Sequence, residues 1–152
     1  MNQARSTNRQ RNCTPRFAGL ARNRHLTVTA ISILIIDPEA EFTSILTDRL
    51  NSWGFAATAV NSCADAMDWL EHSRPEVVVL GLEAGNREGL NLLGWIRTRH
   101  PELKIIVLAG KGATLAAMNS LANGVFDLLP QPVELGVLID AIRRAQRKQR
   151  RR

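Results

Sequence analysis

The sequence predicts an α/β domain built on a doubly wound parallel sheet, and three observations carry this prediction. Aliphatic runs alternate five times with helical apolar patterns, at a period of about 20–25 residues. One of these runs, Val77–Leu82 (VVVLGL), lacks polar alternation and is followed closely by Gly and Asn, as in a central strand covered on both faces. The chain has 152 residues and 45% hydrophobic content, which suits one domain with a real core.

The first two units lie between residues 31 and 73. A strand over 31–36 (ISILII) stops at Asp37 and Pro38, and we expect Pro38 in the first turn of a helix with Asp37 near its cap. The predicted inner face of this helix is Phe42, Ile45, Leu46, Leu50 and Trp53. A second strand covers 55–60. Ser62 is then expected to cap a helix that runs to Ser73, with Ala66, Leu70 and Met67 facing inward.

The third and fourth units follow the same pattern. After Val77–Leu82 we expect a loop over 83–88 and then a helix whose inner face is Leu90, Leu93 and Ile96. This helix closes at His100 and Pro101. Lys104–Ala109 (KIIVLA) is the fourth strand, residues 113–122 are the fourth helix, and Gly124 suits its C-terminal cap.

The last unit is a strand over 125–129, a rigid turn at Pro130, Gln131 and Pro132, and a fifth helix. The predicted inner face of that helix is Val133, Val137, Leu138, Ala141, Ile142 and Ala145. Regular alternation implies right-handed crossovers and helices on both faces of the sheet. At this length the flavodoxin-like (βα)5 order 2-1-3-4-5 is the expected arrangement.

Charge divides the chain into three parts. The formal net charge is +6, yet all 14 acidic residues fall within 31–142, where there are only 7 basic ones. We therefore predict a disordered basic tail over 1–29, a domain over 30–146 and a basic tail over 147–152. An over-long reading frame is an alternative origin for the first segment, and a transit peptide is a less favoured one.

Cysteine usage and hydropathy exclude some classes of protein. The two cysteines, Cys13 and Cys63, form no metal-ligand spacing or disulfide framework, so a reducing compartment is expected. No apolar run reaches 18 residues, which argues against a membrane span. We predict a cytoplasmic protein.

The sequence resembles the receiver domain of bacterial two-component response regulators, the CheY-like family, over roughly residues 31–146. The segments that carry the resemblance are ILIID at 33–37, PEVVVLGL at 75–82, Gly89, PELKIIVLAG at 101–110 and GVFDLLPQP at 124–132. The resemblance implies phosphorelay signalling. In this family carboxylates bind Mg²⁺ and an Asp on the third strand accepts a phosphoryl group. It also implies a cis peptide bond between Gln131 and Pro132.

The matching positions lack the family's reactive groups. Gly81 stands at the phospho-acceptor position, and Pro38 replaces one of the two acids, which leaves Asp37. Three further losses are a hydroxyl (Ala109), a lysine (Gln131) and an aromatic switch residue (Leu128). We therefore expect a pseudo-receiver that is not an enzyme and has no cofactor, with Mg²⁺ unlikely because a lone Asp37 is a weak ligand set.

The fourth helix is the candidate interaction surface, since residues 112–126 carry no charge. Its Leu115, Met118 and Asn119, together with Trp95, could form a standing contact face, and the resemblance implies homodimerisation through helix 4, strand 5 and helix 5. The plainer interpretation is a deeply packed neutral helix, with Trp95 lying flat over its own helix.

The basic C-terminus leaves a further class of partner open. Its candidate residues, which would contact nucleic acid without sequence specificity, are Arg143, Arg144, Arg147, Lys148 and Arg150. The plainer interpretation is a solvated helix end. Three functions remain: a phosphorylation-independent module that binds a kinase or an output protein, a receiver regulated by another ligand or residue in the degenerate pocket, and a basic-tailed nucleic-acid-associated protein.

Overall fold

A computed structural model describes residues 30–83, 87–110 and 124–151. Five parallel strands form one sheet in the order β2-β1-β3-β4-β5. The strands are β1 (Ser32–Ile36), β2 (Ala56–Val60), β3 (Val77–Leu82), β4 (Lys104–Ala109) and β5 (Asp127–Pro130). The described helices are α1 (Ala40–Ser52), α2 (Cys63–His72), α3 (Arg87–Arg99) and α4 (Leu135–Arg151), and α4 corresponds to the predicted fifth helix. The predicted fold class and strand order are confirmed.

Strand β3 is the centre of the sheet, and all six of its residues are buried. It pairs with β1 on one side and β4 on the other, so its backbone groups are satisfied along both edges. Val77 and Val79 face one hydrophobic core, while Val78, Leu80 and Leu82 face the other. A strand with apolar side chains on both faces is stable only when both faces are covered.

The helices divide between these two cores. Helices α1 and α4 cover one face of the sheet through Leu46 and Leu50, and through Leu138 and Ile142. Helices α2 and α3 cover the other face, with inward residues Ala66, Leu70, Leu92, Leu93 and Ile96. Met67 and Leu90 are partly buried at the margin of this second core. None of the helices in the described ranges is long and apolar enough to cross a membrane.

Helix α1 begins two residues later than predicted. Glu39 is at its N-cap, so Asp37 and Pro38 precede the helix. The cause is local, because a carboxylate oxygen of Asp37 accepts the backbone N–H of Glu39 at 2.9 Å and holds the chain in a turn. The N-terminus of α2 agrees with the prediction, since the Ser62 hydroxyl accepts the backbone N–H of Asp65 at 3.0 Å.

Three predicted core residues are wrong: Ile45, Trp53 and Val137 are 52%, 57% and 46% exposed. The inward stripe of α1 is narrower than the apolar pattern suggested and consists of Thr43, Leu46 and Leu50. Trp53 lies past the last helical residue, where the chain turns away. In α4 the equivalent stripe begins at Leu138.

Two boundaries in the middle of the chain also differ. Helix α3 already begins at Arg87, so Arg87 and Glu88 lie in its first turn and not in the predicted loop over 83–88. Strand β5 is Asp127–Pro130, two residues after the predicted start, because Asp127 is the first residue in register with β4. Pro130 is compatible with this strand because β5 is at the edge of the sheet. The predicted fourth helix, 113–122, lies outside the described residues.

The C-terminal part of the chain is one long helix. Helix α4 spans 17 residues and continues through position 147, where the sequence suggested that a separate tail begins. It starts two residues after Val133, which remains partly buried against the first core. The peptide bond between Gln131 and Pro132 is cis, as predicted.

Two glycines offer a matched test of the fold. Gly54 has a φ of +96° with open space around an added Cβ, while Gly94 lies inside α3 with equally open space. We expect Gly54→Ala to lower the free energy of unfolding by about 1–2 kcal/mol, because only the backbone is strained. Gly94→Ala should raise it by about 0.5–1 kcal/mol through helix propensity. Urea denaturation measures both, and equal effects of the two changes would contradict the backbone assignment.

Candidate functional site

The predicted site residues lie together at the carboxyl ends of the strands. Asp37 follows the last residue of β1, Gly81 lies near the end of β3, and Ala109 ends β4. Leu82 pairs with Ala109, and Ala109 pairs with Pro130, so Gln131 follows immediately beside them. In doubly wound sheets, ligands bind at the carboxyl ends of the strands.

The decisive feature of this site is the contact between Asp37 and Gly81. A Cβ added to Gly81 would lie 2.9 Å from Cγ of Asp37 and 3.4 Å from its Cβ, and closer still to Oδ2. The carboxylate of Asp37 therefore fills the space that a side chain at position 81 would occupy. A residue other than glycine fits at position 81 only if Asp37 moves.

The carboxyl group of Asp37 is held in this position by its surroundings. The residue is only 7% exposed, and its backbone carbonyl accepts the amide of Asn61 at 2.8 Å. Burial raises the pKa of Asp37 above its ordinary value of 3.8; the hydrogen bond from Glu39 opposes this shift, and the charges of Glu39 and Glu83 add to it. Among the described residues no lysine or arginine forms an ion pair with Asp37.

A cleft lies beside this contact, on the side of β4 and β5. Its volume is about 560 Å³, and it is lined by Phe42, Glu83, Gly110, Gln131, Pro132 and Val133. A Cβ added to Gly110 would lie 3.2 Å from Cγ of Glu83 and 3.5 Å from Oε1 of Gln131, so both side chains approach the backbone there. Leu128 does not line the cleft and packs against the second core.

A smaller cavity of about 80 Å³ lies on the other side of the contact, and its lining includes Asp37, Pro38, Ser62, Cys63, Gly81 and Glu88. Nothing in the sequence predicts that Cys63 lines this cavity. Cys63 is the first residue of α2, and the fold alone brings it close to β3. Its thiol lies 3.5 Å from the carbonyl oxygen of Glu88. Burial, with a contribution from Glu88, raises the pKa of Cys63, which disfavours the reactive thiolate.

Mg²⁺, which the resemblance implies, would meet the carboxylate of Asp37 at this site. That carboxylate lies against Gly81 and is largely buried. Among residues 30–83, 87–110 and 124–151, no cluster of three His, Cys, Asp or Glu side chains is found that could hold a metal ion. A single buried carboxylate is a weak ligand set for Mg²⁺.

Residues 33–143 match the family model of the response regulator receiver domain. The chain belongs to the response regulator receiver domain family. Its sequence is 29% identical over 115 residues to the response regulator protein FleR of Pseudomonas aeruginosa, covering 76% of this chain and 24% of that protein. It is 24% identical over 118 residues to the DNA-binding transcriptional regulator NtrC of Azospirillum brasilense, covering 78% of this chain and 24% of the relative.

Solved structures agree on the fold. A response regulator receiver domain protein from Clostridium thermocellum superposes with a TM-score of 0.73 at 24% identity, covering 78% of this chain and 96% of that one. FixJ-N superposes with a TM-score of 0.70 at 26% identity, covering 79% of this chain and 96% of that one. The chain spans about a quarter of the length of these two relatives, FleR and NtrC.

The predicted interaction face is only partly described. Leu115, Met118 and Asn119 lie outside the described residues. Trp95 is half-buried, and the guanidinium of Arg99 lies 5.3 Å from the centre of its ring. Arg99 in turn pairs with Glu71 of α2 at 3.0 Å, so Trp95 lies on the side of α3 that faces α2. The place of Trp95 in the predicted interaction face stays a prediction, because Leu115, Met118 and Asn119 lie outside the described residues.

We expect Gly81→Ala to lower the free energy of unfolding by about 1–3 kcal/mol, because the new methyl group displaces the Asp37 carboxylate from its hydrogen bond to Glu39. In an Asp37→Ala background the same change should cost much less. An Asp37→Asn background keeps the volume and should keep the cost. Urea denaturation of the two double-mutant cycles measures the coupling, and additive effects in the alanine cycle would contradict the steric contact.

The buried carboxyl group of Asp37 also predicts a pH dependence. Because its pKa is higher in the folded than in the unfolded protein, protonation of Asp37 favours the folded state. The stability of the wild type relative to Asp37→Asn should be greatest below about pH 3.8 and should fall as pH rises through the folded pKa. Denaturation over a pH series measures this difference. Asp48→Asn, at an exposed site, is the control, and a flat difference for Asp37→Asn would refute burial of the charge.

Proposed function

We propose that this receiver domain acts without phosphorylation, as a protein-interaction module of two-component signalling, and that it catalyses no reaction. One observation carries the proposal: the carboxylate of Asp37 occupies the space beside Gly81, where the family's acceptor side chain would be. Glycine offers no reactive group at this position, and the carboxylate of Asp37 fills the space beside it.

The neighbouring positions support the same proposal. Phosphoryl transfer depends on groups that neutralise charge as it develops and that position the reacting atoms. Ala109 has no hydroxyl, and the neutral amide of Gln131 replaces a cation. Leu128 is packed against the second core, so no aromatic ring changes position there. A site without acceptor, hydroxyl, cation or switch has no means to couple phosphorylation to a change of surface.

The partners follow from the class of protein. A receiver with a fixed surface would bind a histidine kinase or an output protein through that surface, and the sheet of this chain provides a rigid support for it. Homodimerisation through the predicted fourth helix (113–122), β5 and α4 remains a proposal, since residues 113–122 lie outside the described residues. The cytoplasmic location remains a prediction.

A second candidate is regulation by a small ligand in the degenerate pocket. The cleft of about 560 Å³ favours it, because this volume is within the range of ligand sites. Phe42, Pro132 and Val133 provide apolar contacts, while Glu83 and Gln131 provide an acceptor and an amide. A fragment screen read by NMR separates the candidates: hits with amide shifts clustered at Gly110 and Gln131 favour ligand control, and scattered shifts count against it.

We expect no phosphorylation of the wild type by acetyl phosphate with Mg²⁺, as measured by intact mass. Gly81→Asp alone should also remain unmodified, because the second acid, the hydroxyl and the lysine are still missing at positions 38, 109 and 131. The control is G81D/P38D/A109T/Q131K, which restores the missing groups together and should gain phosphoryl groups if the scaffold is competent. A phosphorylated wild type, or beryllofluoride shifts localised at Asp37 and Gly81, would overturn the proposal.

A further inference from the structure

The C-terminal half of α4 changes character along its length. Ala145 and Gln146 are buried, Arg147 and Lys148 are exposed, and the helix continues to residue 151. At about 1.5 Å per residue, the five positions after Gln146 add about 7 Å of helix. Among the residues whose burial is described, the helix contacts the core as far as Gln146 and is exposed after it.

Arg143 and Arg144, the first two basic residues near the end of α4, contact the rest of the domain. The guanidinium of Arg143 lies 5.7 Å from the centre of the Phe55 ring. Arg144 pairs with Asp127 at 3.2 Å and with Asp140 at 3.1 Å. These contacts fix the direction in which the helix leaves the domain. Arg147 and Lys148 are exposed, and within the described residues neither forms an ion pair.

In the part of the chain that the structure describes, unpaired acidic residues gather at the end of the sheet opposite to the end of α4. Helix α4 starts beside the carboxyl ends of the strands, so its own C-terminus lies toward their amino ends. Glu39, Glu83 and Glu134 follow β1, β3 and β5 at the carboxyl ends. Three acids near the amino ends are instead held in ion pairs with arginines. Within the described residues, a polyanion would therefore be repelled at the carboxyl ends and attracted at the end of α4.

The composition of the end of α4 indicates which class of partner it suits. Six of the nine residues from 143 to 151 are basic and none is acidic. Its only apolar residue, Ala145, is fully buried. The stretch thus offers charge without an apolar surface, which does not suit the apolar core of a protein interface or insertion into a membrane. An anionic membrane surface could still attract it by charge, and the vesicle arm of the test below separates that case. Phosphates of a nucleic acid need only the charges.

We propose that the end of α4 is a docking surface for double-stranded nucleic acid, which binds through its phosphates and without sequence specificity. The helical stretch of basic residues is about 12 Å long, which is comparable to the width of the major groove. This proposal is independent of the phosphorylation-independent signalling function, since it uses none of the residues around Asp37 and Gly81.

The test uses the full chain and a labelled DNA duplex, with binding followed by fluorescence anisotropy from about 50 to 200 mM salt. The quadruple variant R147Q/K148Q/R150Q/R151Q removes the charges past the core and keeps helix propensity, since glutamine is a good helix former. We expect the slope of log affinity against log salt to become less steep by about 3–4, with a loss of about 100-fold at the upper end of the range. Circular dichroism verifies that the variant is folded.

The matched control, R5Q/R9Q/R11Q/R16Q, removes the same number of charges near the N-terminus and should retain most of the affinity. An equal loss in both variants would overturn the proposal, since net charge alone would then explain binding. It would also be overturned if phosphatidylserine vesicles bound as tightly as the duplex. Self-association that the α4 variant abolishes would instead assign the surface to a second copy of the chain.

Discussion

The burial of β3 on both faces is the constraint on which the rest of this structure depends. Its apolar side chains contribute to two cores at once, so helices must cover both sides of the sheet. Pairing with β1 and β4 then aligns the ends of three neighbouring strands. Because that alignment places Asp37 beside Gly81, the geometry of the site is a consequence of how the core is filled.

The same constraint explains why the space beside Gly81 is filled by another side chain. A side chain missing at the end of a buried strand would leave a cavity, which is costly in a packed interior. Here the carboxyl group of Asp37 occupies the space, and the backbone N–H of Glu39 compensates part of the cost of burying it. The remaining cost appears as the raised pKa of Asp37. Glycine at 81 and the inward Asp37 are thus one structural feature, in which packing and the hydrogen bond from Glu39 hold the acid.

The sequence predicted the fold well because periodicity and capping are local signals. The bounds of β3 and β4 and the Ser62 cap agree with prediction, since each depends on residues close together in the chain. The errors at Ile45, Trp53 and Val137 have another cause: an apolar residue beside a helical stripe gives the same pattern whether a neighbouring element covers it or not. The Asp37–Gly81 contact could not be predicted either, because it depends on a side-chain orientation set by a turn and on the register of two strands. For Trp95, only the ion pair between Arg99 and Glu71 shows which neighbour the ring faces.

If this receiver acts without phosphorylation, as we propose, it acts through surfaces that are always present, and the end of α4 is one of them. Leu138 and Ile142 are fully buried in the core, and Arg144 ties the helix to β5 through Asp127. A rigid attachment of this kind lets the same helix carry a strongly basic end in a fixed direction, away from the acidic residues at the carboxyl ends of the strands. Glycine at position 81 and a fixed orientation of charge are compatible for the same reason: both depend on a core with one arrangement.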